Sequence, residues 1–213
     1  MMLAILPTAA FADDETGTAS NKTLSITADG KPDVTGIVPT IDNGKKVYTG
    51  DSWKYEIHPN QDYLFLDKGY SFNLTNEPAV KCYRVENYGE IQGGVFDPCN
   101  WVHSLTGIHS GYVENFGTIS GGIFLSDVYA ITNSGGKIYT PKITGGIFAN
   151  DPRTENFQLE KNVYTLAVTD GLKITKLQYN NQSVNVSLDK IFVLADTVTE
   201  SKPLTLTLRD GTS

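Results

Sequence analysis

Glu86 and Glu114 occupy the same place in two near-identical stretches, "VENYGEIQGGVF" from Val85 to Phe96 and "VENFGTISGGIF" from Val113 to Phe124. If the stretches form adjacent strands, the two carboxylates stand about 4.8 Å apart, close to the separation a retaining glycosidase needs between acid and nucleophile. A repeated motif produces such neighbours anyway, and the third unit puts Thr132 there and breaks the row. Asp97, Asp127, Asp151 and Arg153 lie between units, where a lyase would keep calcium and a base, but their spacing matches no calcium loop. His58, His103 and His109 are the only histidines, without the compact further ligands that zinc requires. No nucleophile elbow, phosphate-binding loop or dinucleotide fingerprint is present. The sequence therefore predicts no catalytic residue, no metal and no cofactor. A carbohydrate-active enzyme, either a polysaccharide lyase or a glycoside hydrolase, is the alternative.

Aromatic side chains offer a different chemistry. Tyr88 and Phe116 follow the same Asn in successive units, and Trp101, Tyr112 and Tyr129 lie in the stretches between units. Exposed on a rigid scaffold, such rings stack on sugar faces or anchor a protein partner. Turned against the body, they only cover its apolar sides. These five are the candidate ligand-binding residues. Cys82 and Cys99 are the only cysteines. They read either as one disulfide, contributing about 3 kcal/mol for a loop of that length, or as two free thiols.

Composition and period identify what must position these groups. The chain has 213 residues, of which 39% are hydrophobic and 19% charged, so it folds rather than staying disordered. Glycine-rich turns separate Thr-, Val- and Ile-rich segments, and no long stretch keeps a helical spacing of apolar residues, which makes an all-β chain. The two clear units are followed by a degenerate third, "ITNSGGKIYTPKITGGIF" from Ile131 to Phe148, aligned through Asn133 and its Gly145-Gly146-Ile147-Phe148 ending. A period of roughly 28 residues suits a parallel β-helix with one unit per coil. The alignment predicts three inward columns: Ile91, Ile119 and Ile143; Phe96, Phe124 and Phe148; Val85, Val113 and Ile131. Asn87, Asn115 and Asn133 are predicted at a corner, in left-handed backbone and bonded amide to amide. The paired glycines turn where a Cβ would clash.

The flanks differ. Residues 13–80 alternate apolar and polar positions, with a turn at Asp67-Lys68-Gly69, and read as an N-terminal β section or cap. Residues 81–150 hold the β-helix repeats. The polar "ANDPRTENFQLEKN", residues 149–162, marks a boundary, and residues 151–213 form a C-terminal β module with turns at Asp170-Gly171 and Asn180-Asn181. The module is either sandwich-like or a cap, and it is small for a self-standing sandwich.

At its two clear units the chain resembles the repetitive surface proteins of intestinal Firmicutes, in which V-x-N-x-G-x-I-x-G-G-x-F units recur in tandem. The resemblance covers residues 85–148. It implies a short right-handed parallel β-helix, an adhesin-like role and further domains of a longer chain. The start, "MMLAILPTAAFADDE", is similar to the end of the signal peptides on such proteins: Ala10-Phe11-Ala12 forms an A-x-A signature before acidic residues, making 1–12 a signal-peptide remnant. The net charge of -7 argues against nucleic acid and anionic membrane surfaces, which demand a basic footprint. The expectation is an exported β-solenoid, secreted or on the surface of a Gram-positive bacterium and not inserted in the membrane. It would serve as a non-catalytic scaffold that contacts a glycan or a surface protein.

Overall fold

The computed structural model describes residues 22–103, 107–153, 157, 159 and 161–210, of which 101–103 and 107 are described by their backbone alone. The signal-like segment 1–12 lies outside the described residues. No helix occurs among those described, and the architecture is a β-solenoid with small β additions at both ends.

Three walls of parallel strands enclose one core. The first wall stacks Asp62–Leu66, Arg84–Asn87, Tyr112–Asn115 and Asp127–Ala130 in register. The second stacks Ser71–Asn73, Glu90–Gly93, Thr118–Ile119 and Lys142–Ile143. The third stacks Val95–Phe96, Ile123–Phe124 and Ile147–Phe148, with Val80 bridging to Phe96. Stacking therefore begins at Asp62, one layer before the recognisable motif. On the outer side of Asp62–Leu66 the first wall continues antiparallel through Trp53–Ile57, Lys45–Thr49 and Thr40–Asp42. Leu24 and Ile26 add to the same core, and Trp53 Nε1 ties this end down by donating to the Lys22 carbonyl at 2.9 Å.

The predicted isoleucine and phenylalanine columns form. Ile91, Ile119 and Ile143 align in register, and the rings of Phe96, Phe124 and Phe148 stack at 5.0 Å. Identical side chains repeat on each coil, so each covers its neighbour's apolar surface and no coil can bury its core alone. The first-wall column differs from expectation in its third member. Val128, not Ile131, pairs with Val113, and Ala130, not Asn133, pairs with Asn115. Asn133 is exposed in a hairpin, Asn133–Ser134 with Lys137–Ile138, that bulges from the corner of the third coil. That hairpin carries the inserted residues, so the insertion sits before the shared glycines and shifts the true start of the coil to Asp127.

Asn87 and Asn115 do stack, Asn87 Nδ2 donating to Asn115 Oδ1 at 2.8 Å and to the Thr118 carbonyl at 2.9 Å. Neither has the left-handed backbone predicted for it. Asn115, with Ala130 above it, donates instead to the Lys142 and Gly117 carbonyls.

The paired glycines divide their work. A Cβ on Gly121 would meet the Gln92 carbonyl oxygen of the coil below at 2.2 Å, so the first glycine permits close approach between coils. Gly122, at φ 111°, occupies a conformation that side chains disfavour, so the second makes the turn.

The C-terminal segment is built onto the third wall. Lys190–Leu194 pairs antiparallel with Ile147–Phe148, and Val163–Ala167 pairs with it in turn. Phe192 and Leu194 close the end of the solenoid core, while Ile191 and Val193 face the other way. There a three-stranded sheet of Gln182–Leu188, Leu172–Tyr179 and Leu204–Asp210 packs on the outside of the wall. Its Ile174, Leu177 and Tyr179 cover Val95, Ile123 and Ile147. The result is a β-sandwich whose second sheet is the solenoid wall itself. The predicted turns occur at Asp170-Gly171 and Asn180-Asn181, with positive φ at all four residues.

Candidate functional site

The outer face of the first wall is not a plain solvated surface. Along one row of side chains the register places Lys54, Phe65, Glu86, Glu114 and Tyr129, and along the next Glu56, Tyr63, Arg84, Tyr112 and Asp127. Beyond the first row, at the corner toward the second wall, the ring of Tyr88 lies on that of Phe116, centroids 4.5 Å apart and planes 10° from parallel. Tyr139, delivered by the hairpin of the third coil, sets its ring edge-on to Phe116 at 4.8 Å.

Lys54, Phe65 and Glu86 of the first row, Glu56, Tyr63 and Arg84 of the second, and the three corner rings line one solvent-open cleft of about 1720 Å³. The antiparallel hairpin Thr40–Asp42/Lys45–Thr49 stands at one end and the hairpin at Ser134 and Lys137–Ile138 at the other, with the turn at Lys68–Ser71 along the side. Small-molecule pockets run to roughly 1,000 Å³, so this one has the dimensions of an extended ligand.

The floor is a charge network. Arg84 Nη2 lies 3.1 Å from Glu86 Oε1 and also bonds Glu114 Oε2. Tyr88 donates its hydroxyl to Glu86 Oε2 at 2.7 Å. Burial raises the Glu86 carboxyl above the usual carboxylate range, and the pull of Arg84 and Tyr88 in the other direction does not cancel it. Glu56 is also buried, yet its hydrogen bonds from Lys54 and Lys45 outweigh the burial and hold its carboxyl below that range. Two buried glutamates on one face are thus pushed apart in acidity. Glu86 and Glu114 do meet on adjacent strands, but one guanidinium binds both. They form an ion triad with Arg84.

Four of the five candidate aromatics separate into two groups. Tyr88 and Phe116 line the cleft, though Phe116 is only 6% exposed and acts as the buried backing of the half-buried Tyr88. Tyr112 and Tyr129 lie outside it, in an edge-on ladder with Tyr83 at 5.8 and 5.7 Å. Arg84 lies 5.7 Å from the Tyr112 and Tyr63 ring centres. Tyr129 is 42% exposed, the one clearly solvent-facing member of the four whose side chains are described. The side chain of Trp101 falls outside the described residues. Tyr139, Tyr70 and the lysines of the cleft were not singled out by sequence; for Tyr139 and Lys137 the one signal was the insertion in the third unit, and the others carried none.

Cys82 is buried and Cys99 half-buried, and their sulfurs are not bonded to each other. They flank a buried polar knot. Lys31 Nζ lies 2.8 Å from Asp62 Oδ2 and 3.6 Å from Cys99 Sγ, and Tyr55 donates to Asp62 at 2.7 Å. Asp127 binds Asn150 and Asp151 binds Arg153, so these aspartates are engaged locally. Among the described residues no group of three or more His, Cys, Asp or Glu is placed to hold a metal ion, and no helix is long and apolar enough to cross a membrane. No protein-family model, curated protein or solved structure matches this chain.

Proposed function

We propose that this chain is an exported, non-catalytic scaffold of adhesin-like kind, secreted or held at a Gram-positive cell surface, and that it contacts a glycan through the first-wall cleft. The observation that carries the reading is the cleft itself: long, open, and floored by half-buried rings and satisfied charge. Tyrosines present a flat apolar face and a polar tip, the combination that stacks on a pyranose ring while bonding its hydroxyls. A solenoid supplies rigidity, so the rings are held in place before the ligand arrives, which lowers the cost of binding. The A-x-A signature at Ala10–Ala12 and the resemblance of the repeats to intestinal Firmicutes surface proteins support export.

A glycan-array screen of the purified chain tests this. Binding weakened by Tyr88→Ala or Tyr139→Ala, but not by Tyr129→Ala outside the cleft, supports it. Loss on Tyr129→Ala alone moves the site to the tyrosine ladder.

One observation favours the rival enzymatic reading: Glu86, a buried carboxyl of raised pKa in a cleft, is the kind of group that serves as a general acid. Sharing Arg84 with Glu114 weighs against it. Release of reducing ends from a polysaccharide, abolished by Glu86→Gln, would establish the rival.

A further inference from the structure

Seven basic side chains line the cleft, counting His58, against four carboxylates: Asp42, Glu56, Glu86 and Glu90. The chain as a whole carries a net charge of -7, so this balance runs opposite to the rest of the molecule. Pairing sharpens the contrast. Lys45 and Lys54 are bound to Glu56, and Arg84 to Glu86 and Glu114. Lys68, Lys137 and Lys142 are exposed, and among the described residues no ion pair engages any of them.

These three lysines come from separate elements. Lys68 belongs to the turn beside Tyr70, Lys137 to the inserted hairpin, and Lys142 to the second-wall strand of the third coil. All line the same cleft as Tyr88, Phe116 and Tyr139. Tyr70 is itself 50% exposed at the rim. In an acidic protein, solubility alone accounts for scattered lysines, but not for three from separate elements, outside any ion pair among the described residues, that line the same cleft as the stacked rings of Tyr88 and Phe116. Positive charge left without a partner beside an aromatic platform is matched by a ligand that supplies both a flat apolar face and an anion.

We propose that the cleft binds a negatively charged sugar chain, one whose residues carry carboxylate or sulfate groups, with Tyr88, Tyr139 and Tyr70 against the sugar faces and Lys68, Lys137 and Lys142 on the anions. The inference rests on the glycan-binding reading above and narrows it to a ligand class. An acidic polypeptide would satisfy the lysines but leave the rings without a stacking partner.

The test is titration of the full chain with hyaluronan decasaccharide, with its carboxyl-reduced neutral form, with chondroitin sulfate and its desulfated form, and with polyglutamate of similar length. The hyaluronan arms isolate the carboxylate and the chondroitin arms isolate the sulfate. The expected result is affinity for a charged chain that falls as salt rises. Lys137→Glu/Lys142→Glu should weaken it about tenfold, an order set by two charge reversals at exposed sites. Lys202→Glu, exposed and far from the cleft in sequence, should leave it unchanged, and all variants should keep the parent's melting temperature. Equal affinity for the reduced and native sugars overturns the anionic inference and leaves glycan binding standing. Polyglutamate binding as tightly as the sugars overturns the ligand class. No binding to any of the five probes overturns both this inference and the reading on which it rests.

Discussion

Glu86 and Glu56 show how one surface can hold the same residue in opposite states. Burial raises the Glu86 carboxyl, so folding takes up a proton in the window between its unfolded value, about 4.3, and its higher folded value. In that window the folded state binds more protons, so stability falls as pH rises through it. Glu86→Gln removes this slope, and the variant should gain on the parent as pH rises above the unfolded value in denaturant melts. A gap that widens the other way would mean the carboxylate is held ionised. Glu56 has the reverse sign. Its contribution is complete above the unfolded value and is lost as pH falls through the lowered folded one. Glu56→Gln, which removes charged bonds to two lysines, should cost about 2 kcal/mol at neutral pH and little at low pH. The cysteines differ by access. An alkylating reagent should modify Cys99 in the folded protein, whereas Cys82, buried and with its thiol raised by that burial, should react only on unfolding. Equal rates for both thiols in the native protein would show that the Cys82 layer opens readily.

Stability at the scale of the element lies in the columns. Ile119 has no exposure and sits between Ile91 and Ile143, so Ile119→Asp buries a charge with no partner. The solenoid should unfold, and a soluble variant with the parent's melting temperature would refute the stacking. Phe124→Ala, in the middle of the stacked trio, should cost about 3–5 kcal/mol because coils on either side hold the cavity open. These columns were legible because identical residues recur at one period, and a repeat alone fixes which side chains share a face. The third coil was misaligned for an equally physical reason. Asn133 resembled a corner residue, but the amide ladder needs only the neighbour below, and Ala130 ends it without leaving Asn115 unbonded. A hairpin inserted at a corner costs the stack nothing, so sequence could not say where the extra residues left the coil. The site followed the same pattern. Tyr88 and Phe116 repeat and were visible, whereas Tyr139 and Lys137 belong to the insertion and become neighbours only through the coil geometry.

At the scale of the molecule, the three endings Gly-Gly-Val-Phe, Gly-Gly-Ile-Phe and Gly-Gly-Ile-Phe carry a second signal besides the phenylalanine column. Both residues after the glycines are apolar, unlike the polar-flanked isoleucines of the second wall. Strands apolar on both faces are covered on both, and the cover is the C-terminal sheet. It also bonds the turn glycines: Gln182 Oε1 accepts from the Gly94 amide at 3.2 Å and Thr197 Oγ1 from the Gly146 amide at 2.9 Å. The C-terminal module is therefore not expected to separate from the repeats as a passenger domain would. Deleting residues 161–213 uncovers Val95, Ile123 and Ile147 and leaves the Ile147–Phe148 strand as an open edge, an arrangement that invites pairing between molecules. The deleted chain should elute as large aggregates. Threonine at those three positions should restore part of its solubility while leaving that edge unpaired. A monomeric deletion protein with the parent's far-UV signal would show instead that the stacked phenylalanines alone hold the coils, and that the shared wall is a convenience of packing.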